Sequence, residues 1–187
     1  MGEMGRIGRW IVNSGNARRS ARILDALGSA LRLSRSSRIL ELGAGRGGLS
    51  ALLYERYQPG RLVVTDFDPN QVEAARAYLS GRFGSLPAAI ELREVDALSL
   101  PFEVAAFDCV MAIAMLHHVE AHHFDYRNRP QALAEIRRVL APDGTLVFSD
   151  FSRTEEMRRT LIELGFRPVF EEPGRRGRLL ALFRSPG

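Results

Sequence analysis

The segment Arg38 to Ser50, RILELGAGRGGLS, constrains the fold more than any other part of the chain. Ile39, Leu40 and Leu42 form a short apolar run of the kind that makes a buried strand, and Gly43, Gly45, Gly47 and Gly48 follow at once. So many glycines in succession give a turn that no side chain obstructs. Apolar positions resume at Leu49, so the segment predicts a strand, a bare loop and a helix start. In an α/β fold such a loop lies at the carboxyl end of its strand, where backbone N–H groups and a helix N-terminus can hold a nucleotide-like ligand. An adenosine-bearing ligand is the first expectation.

Gly43, Gly45 and Gly48 also satisfy the dinucleotide pattern G-x-G-x-x-G, so the glycines alone leave the ligand open. Glu41 is more selective. A pyrophosphate here would set negative phosphates close to its carboxylate, whereas an acid suits a cation. S-adenosyl-L-methionine carries an α-ammonium and a sulfonium and no phosphate. With Glu41 in place the stretch resembles the first motif of the class I S-adenosylmethionine-dependent methyltransferases, acid-x-Gly-x-Gly-x-Gly.

Further along, Arg61 to Asp66 reads as a buried strand ending in an acid about 20 residues beyond the loop, the spacing at which a carboxylate can accept both ribose hydroxyls. Dinucleotide and adenosylmethionine sites share that feature. Phe67-Asp68-Pro69-Asn70 opens a helix with Val72, Ala75 and Leu79 on its inner face, and Asp68 suits its cap. Ala89 to Val95 is a third strand. Asp96 after it can accept an adenine amino group while a neighbouring N–H meets a ring nitrogen, although a strand-end Asp is also a common turn former. An apolar strand from Phe107 then runs into His117 and His118. A helix over Gln131 to Leu140, a turn at Pro142-Asp143-Gly144, a strand over Thr145 to Phe148 and Asp150 come next. Thr154 to Leu164 reads as a helix stopped by Gly165, and Phe166 to Glu171 with Arg178 to Phe183 as an antiparallel pair around Pro173-Gly174.

Taken with the glycine loop, the stretches DALSLPF, FDCVMAIAMLHHV and EIRRVLAPDGTLVFSDF resemble the ubiquinone- and menaquinone-biosynthesis-like branch (methyltransferase type 11) of that family, from about Arg38 to Phe151. The resemblance implies an α/β, Rossmann-like, doubly wound and mostly parallel seven-stranded sheet with a C-terminal antiparallel hairpin, in a complete but minimal member. It implies an N-terminal basic arm and helix over 1–36, serving as lid or cap, and an S-adenosylmethionine-binding domain over 37–187. Residue by residue it places Glu41, Gly43, Ala44, Gly45 and Gly47 around the methionine part, Asp66 on the ribose, and Asp96 with Ala97 at the adenine. Phe67 would stack on the base and Ala112 would offer a backbone carbonyl to the amino group.

His117 and His118 are candidate bases for an acceptor that must lose a proton, such as a phenol or enol carbon; structural hydrogen bonding below the pocket fits them equally. The stretch Glu120 to Arg129 is longer than the family usually has. It suits an acceptor pocket built with His122, His123, Tyr126 and Arg127, or a solvated loop. Four close histidines invite a metal, but no acidic or cysteine ligand set has suitable spacing, so none is expected.

Length and composition narrow the class. A chain of 187 residues suits one domain, and 45% apolar with 26% charged residues excludes disorder and collagen. No apolar run of about 18 residues exists for a membrane span, and Met1 to Trp10 is too polar for a secretory signal, so a cytoplasmic protein is expected. Cys109 is the only cysteine and reads as a buried thiol. All 26 basic residues are arginine, which fits a GC-rich bacterial genome. Eight of them lie in Met1 to Arg38 against Glu3 and Asp25, a solvated helix face or a surface for an anionic partner. The arginines of the helix expected over Asn13 to Leu33 are placed facing out, and Trp10 ahead of it belongs to a lid or a plain anchor.

A small-molecule acceptor is the leading expectation. Nucleic acid, protein or an anionic lipid recruited by the basic arm is the alternative, ahead of a nicotinamide-dependent oxidoreductase and a non-enzymatic cofactor-binding module. Ala112-Ile113-Ala114-Met115 stands where amino-methylating enzymes carry an Asn-Pro-Pro-Tyr type of signature, which argues against a base amine as acceptor.

Overall fold

A computed structural model describes residues 18–123, 128–174 and 177–187. Seven strands form one sheet in the order β3-β2-β1-β4-β5-β7-β6. They are β1 (Arg38–Leu42), β2 (Arg61–Asp66), β3 (Ile90–Glu94), β4 (Phe107–Ile113), β5 (Leu140–Asp150), β6 (Arg167–Pro173) and β7 (Leu179–Arg184). The first five run parallel, and β7 pairs antiparallel with both β5 and β6. This is the expected mostly parallel sheet with a closing hairpin. The helices are α1 (18–27), α2 (Gly48–Tyr57), α3 (Pro69–Phe83), α4 (Leu116–His123), α5 (Asn128–Val139) and α6 (Thr154–Glu163). No helix among the described residues is long and apolar enough to cross a membrane.

Strand alternation divides the core into two layers. On one face Ile39, Leu62, Val64, Cys109, Met111 and Leu182 meet Leu24 and Leu27 of α1, Leu53 of α2 and Leu79 of α3. On the other Leu40, Leu42, Val63, Val110, Phe148 and Phe183 meet Leu116 of α4, Ile136 of α5 and Leu161 of α6. A sheet apolar on both faces demands helices on both, and the chain supplies them. Strand order reverses between β1 and β4. Ligands of open α/β sheets bind at the carboxyl ends of such a pair.

Several elements depart from expectation. The N-terminal helix gives way to a 3-10 turn at Gly28–Ala30, short of Leu33; Asn13 and Trp10 lie outside the described residues. The turn at Pro142-Asp143-Gly144 is an excursion inside β5. Phe107 pairs with Leu140 but Cys109 with Thr145, and Asp143 takes φ 55°. The carbonyls freed there are met by Ser185, whose N–H donates to Gly144 O at 2.9 Å and whose Oγ donates to Ala141 O at 2.6 Å. Helix α4 was not foreseen, because only Leu116 and Val119 mark its inner face. Asp68 caps α3, accepting from Asn70 N–H at 2.8 Å.

One ion pair fixes the entry to the central strands. Arg38 donates from Nη2 to Asp108 Oδ1 at 2.7 Å, and from its backbone N–H to Oδ2 at 2.8 Å. The Arg38 guanidinium holds the Asp108 carboxyl below its ordinary value of 3.8. Both side chains are partly exposed, which limits the contribution to about 1 kcal/mol. Asp108→Ala is expected to lower the melting temperature by roughly 2–4 °C at pH 7. A depressed folded pKa stabilises above the unfolded value and is lost as pH falls through the folded one. The gap between variant and wild type should therefore shrink on acidification below the ordinary Asp range, as read by thermal melts across pH.

Candidate functional site

A cavity of about 580 Å³ opens at the carboxyl ends of β1 and β4. Its first wall is the glycine loop. Gly43 has φ +67°, and a Cβ there would stand 2.5 Å from the Met115 Cβ, so only hydrogen lets the loop pass the β4–α4 connection. Gly47, at φ 78°, is the N-cap of α2, and its open side faces Ala75 and Leu79 of α3. The loop's donors turn inward: Ala44 N–H to Thr65 O at 2.9 Å, Gly47 N–H to Ala44 O at 3.0 Å, and Gly45 N–H to Asp66 Oδ2 at 2.8 Å. Asp66 Oδ1 also accepts Asp68 N–H at 3.0 Å. Three of the loop's N–H groups are thus engaged within the protein.

Glu41 sits beneath this wall. Alternation puts Leu40 and Leu42 on the α4–α6 face and Glu41 on the α1–α3 face, where Ser50 Oγ of α2 donates to Oε2 at 2.6 Å. Burial pushes the Glu41 carboxyl from 4.5 up to about 8; the Ser50 bond opposes this and the Asp66 charge adds to it. The carboxyl therefore stays largely protonated at neutral pH until a cation comes beside it.

The second wall is the end of β4 with α4 and the chain after β5. Asp150, fully buried, accepts Phe151 N–H at 2.7 Å and His117 N–H at 3.2 Å, and His117 Nδ1 lies 3.0 Å from Oδ1. Burial works to raise this carboxyl, but its bonds to His117 and Phe151 hold it below the ordinary Asp range. An ionised Asp150 selects the tautomer with the proton on Nδ1, which leaves the lone pair on Nε2 of a ring that lines the cavity. The His117 ring lies 4.0 Å from that of His118 and 4.3 Å from that of Phe151. Arg129, buried, donates to Leu116 O and to Ser152 O, tying the start of α4 to the chain after β5.

The third wall is α1, through Arg19 and Ser20. Arg18 and Arg22 are exposed as expected, but Arg19 is not part of a solvated face. Its Nη2 is buried and has no hydrogen-bond partner among the described residues. Burial, then the nearby Arg178 charge, lowers its pKa, against the opposing pull of Asp150.

Of the residues singled out in the sequence, Glu41, Gly43, Ala44, Gly45, His117 and His118 line the cavity. Gly47, Asp66, Phe67, Asp96, Ala97 and Ala112 do not. Asp66 supports the loop from beneath, Phe67 is exposed, and Asp96 Oδ1 accepts Leu98 N–H at 2.9 Å in a turn above the buried Ala97. Ala112, expected to offer its backbone carbonyl, is paired with Leu42 and Phe148 and does not line the cavity, whereas the next two residues, Ile113 and Ala114, do. The side chains of His122, His123, Tyr126 and Arg127 lie outside the described residues. Among the described residues, no three His, Cys, Asp or Glu side chains gather as a metal group. Sequence reasoning passed over Arg19, Ser20, Tyr78 and Phe151 and gave Asp150 no role; as an acid closing a strand, Asp150 carried the same signal as Asp66 and Asp96.

The fold and this crevice define a Rossmann-like domain with a glycine loop at the reversal of strand order. Residues 40–148 match the model of the methyltransferase domain family, and the chain belongs to that family. It is 40% identical over 119 residues to a demethylmenaquinone methyltransferase of Thermus thermophilus, covering 61% of this chain and 47% of that protein. A protein of the same name from Deinococcus radiodurans is 34% identical over 117 residues, covering 61% and 43%. The matched stretch thus spans less than half of either relative. Among solved structures, the N-methyltransferase NodS of Bradyrhizobium japonicum, in complex with S-adenosyl-L-homocysteine, superposes with TM-score 0.69 at 22% identity, over 99% of this chain and 90% of that one. The [4+2]-cyclase SpnF reaches TM-score 0.74 at 18% identity, over 91% and 81%. At such identities these two establish a shared fold.

Glu41 carries a stability cost that grows with pH. Its folded pKa lies above the unfolded one, so stability falls as pH rises from about 4.5 to about 8 and then levels. Glu41→Gln keeps the acceptor for Ser50 and removes that cost. It should raise the melting temperature of the free protein by several degrees at pH 9 and by less at pH 6, as calorimetric scans would read.

Proposed function

We propose that this chain is an S-adenosylmethionine-dependent methyltransferase acting on a small molecule that must give up a proton. The carrying observation is one cavity in which the glycine loop over Glu41 faces His117 held by Asp150. The residues present fit the cofactor. Glu41, poised to ionise beside a cation, suits the ammonium and sulfonium end, and a loop whose N–H groups are engaged internally has little to offer a pyrophosphate. Asp66 would take the ribose, Asp96 with Ala97 the adenine, and Phe67 the face of the base. Segment 1–36 serves as the cap, since α1 contributes Arg19 and Ser20 to the wall.

When bound, the cofactor supplies a methyl group on an already activated leaving group, so the protein's task is alignment and removal of the acceptor's proton. Holding the two reactants at about 3–3.5 Å can account for roughly 7–11 kcal/mol of barrier lowering. His117 Nε2 takes the proton. Asp150 keeps the imidazole in the competent tautomer and stabilises the imidazolium that results. His118 and Phe151 flank the ring and limit its tilt. The relatives are named for demethylmenaquinone; the reduced, dihydroxy form of such a quinone has a ring that becomes nucleophilic on deprotonation, and an acceptor of that kind is what this pair suits.

Calorimetric titration tests the cofactor: S-adenosylmethionine and S-adenosylhomocysteine should bind saturably, NAD should not, and Asp66→Ala should weaken both adenosyl ligands. Preference for NAD would favour an oxidoreductase. For the acceptor step, His117→Ala should reduce kcat roughly 10²–10⁴-fold on a demethylmenaquinol analogue while S-adenosylhomocysteine affinity holds. Unchanged turnover would assign His117 a structural role.

A further inference from the structure

Arg19 and Glu41 line the same cavity, and among the described residues neither makes an ion pair. A guanidinium keeps its proton under all ordinary conditions, and burying one without a partner is costly. Arg19 nonetheless leaves Nη2 buried and unpaired among the described residues. Asp150 offsets this charge only in part, since burial and the nearby Arg178 charge outweigh it, and its oxygens already accept two backbone N–H groups and face the His117 ring. On the glycine-loop wall the situation is reversed. Glu41 is a buried acid that, among the described residues, accepts from the Ser50 hydroxyl and has no ion pair.

One cavity therefore holds a site that wants an anion and a site that wants a cation. An anionic acceptor would satisfy Arg19 and leave Glu41 unexplained; a simple cation would do the opposite. A single carbon bearing both an ammonium and a carboxylate satisfies both. We propose that Arg19 of α1 binds the α-carboxylate of the cofactor's amino-acid end while Glu41 binds its α-ammonium, so that the N-terminal helix selects the intact zwitterion. This rests on the adenosylmethionine reading above and adds a specificity-determining residue from outside the glycine loop. Arg19 precedes the stretch 40–148 that matches the family model.

The test compares three nucleosides by calorimetry on the full chain: S-adenosylhomocysteine, its decarboxylated analogue S-adenosyl-3-thiopropylamine, and 5′-methylthioadenosine, which lacks the amino-acid end. Arg19→Met should weaken S-adenosylhomocysteine about 10-fold or more and leave the other two unchanged, the size expected for one charge-assisted contact. Arg19→Lys should recover part of the loss, since it restores charge without the planar fork. Retained methylthioadenosine binding shows that the variant is folded. Unchanged S-adenosylhomocysteine affinity in Arg19→Met overturns the proposal, as does an equal loss for all three nucleosides, which would make Arg19 a prop for the fold. A raised acceptor KM with intact S-adenosylhomocysteine binding also overturns it, in favour of an acceptor anion. Failure of the wild-type chain to bind S-adenosylhomocysteine would instead bring down the cofactor reading itself.

Discussion

The space a Cβ on Gly43 would occupy is already taken by the Met115 side chain, and the cavity exists because of that crossing. The glycine loop leaves β1 and the β4–α4 connection leaves β4 at the place where strand order reverses. Two chains that would normally be held apart by side chains pass in contact, with Gly43 in a left-handed conformation that favours the residue without one. The close pass brings the floor of the glycine loop and the histidine helix into one crevice.

Buried charge gives that crevice its chemistry. Glu41 is held away from water on the α1–α3 face, and its carboxyl resists ionisation. Asp150, equally buried, is ionised because three donors converge on it. The two acids share a residue class and a location at strand ends, yet they behave oppositely because their hydrogen-bond counts differ. Asp150 is satisfied from within and so holds His117. Glu41 and Arg19 are left for a ligand to satisfy, which turns part of the folding cost into binding selectivity.

The sequence was most legible where chemistry is local. The glycine loop, the acid ending β2, the proline-led start of α3 and the glycine stop after α6 came through because each depends on a few adjacent residues. It was least legible where two distant segments share the outcome. The excursion in β5 looks like a plain turn until Ser185 arrives to bind its carbonyls. Helix α4 carries too little apolar pattern to announce itself. Ala112 was named from motif position for its backbone carbonyl, and the residues that line the cavity there are the next two, Ile113 and Ala114. Arg19 was grouped with Arg18 and Arg22 as a solvated face, yet it belongs to the cavity wall with its Nη2 buried.

The mostly parallel sheet was implied by the family resemblance, while apolar runs, glycines and capping acids determined the order of strands and helices and the strand–loop–helix unit with its acid at Glu41. These are properties of neighbours within a turn or a strand, so they survive in the linear chain. Only the tertiary structure decided which charges meet. His117 and Asp150 lie 33 residues apart and join because β4 and β5 are adjacent and end at the same edge. Arg19 faces the cavity because α1 packs over that edge through Leu24 and Leu27. No local pattern encodes such meetings, since they depend on the order in which the strands assemble and on the face each helix covers.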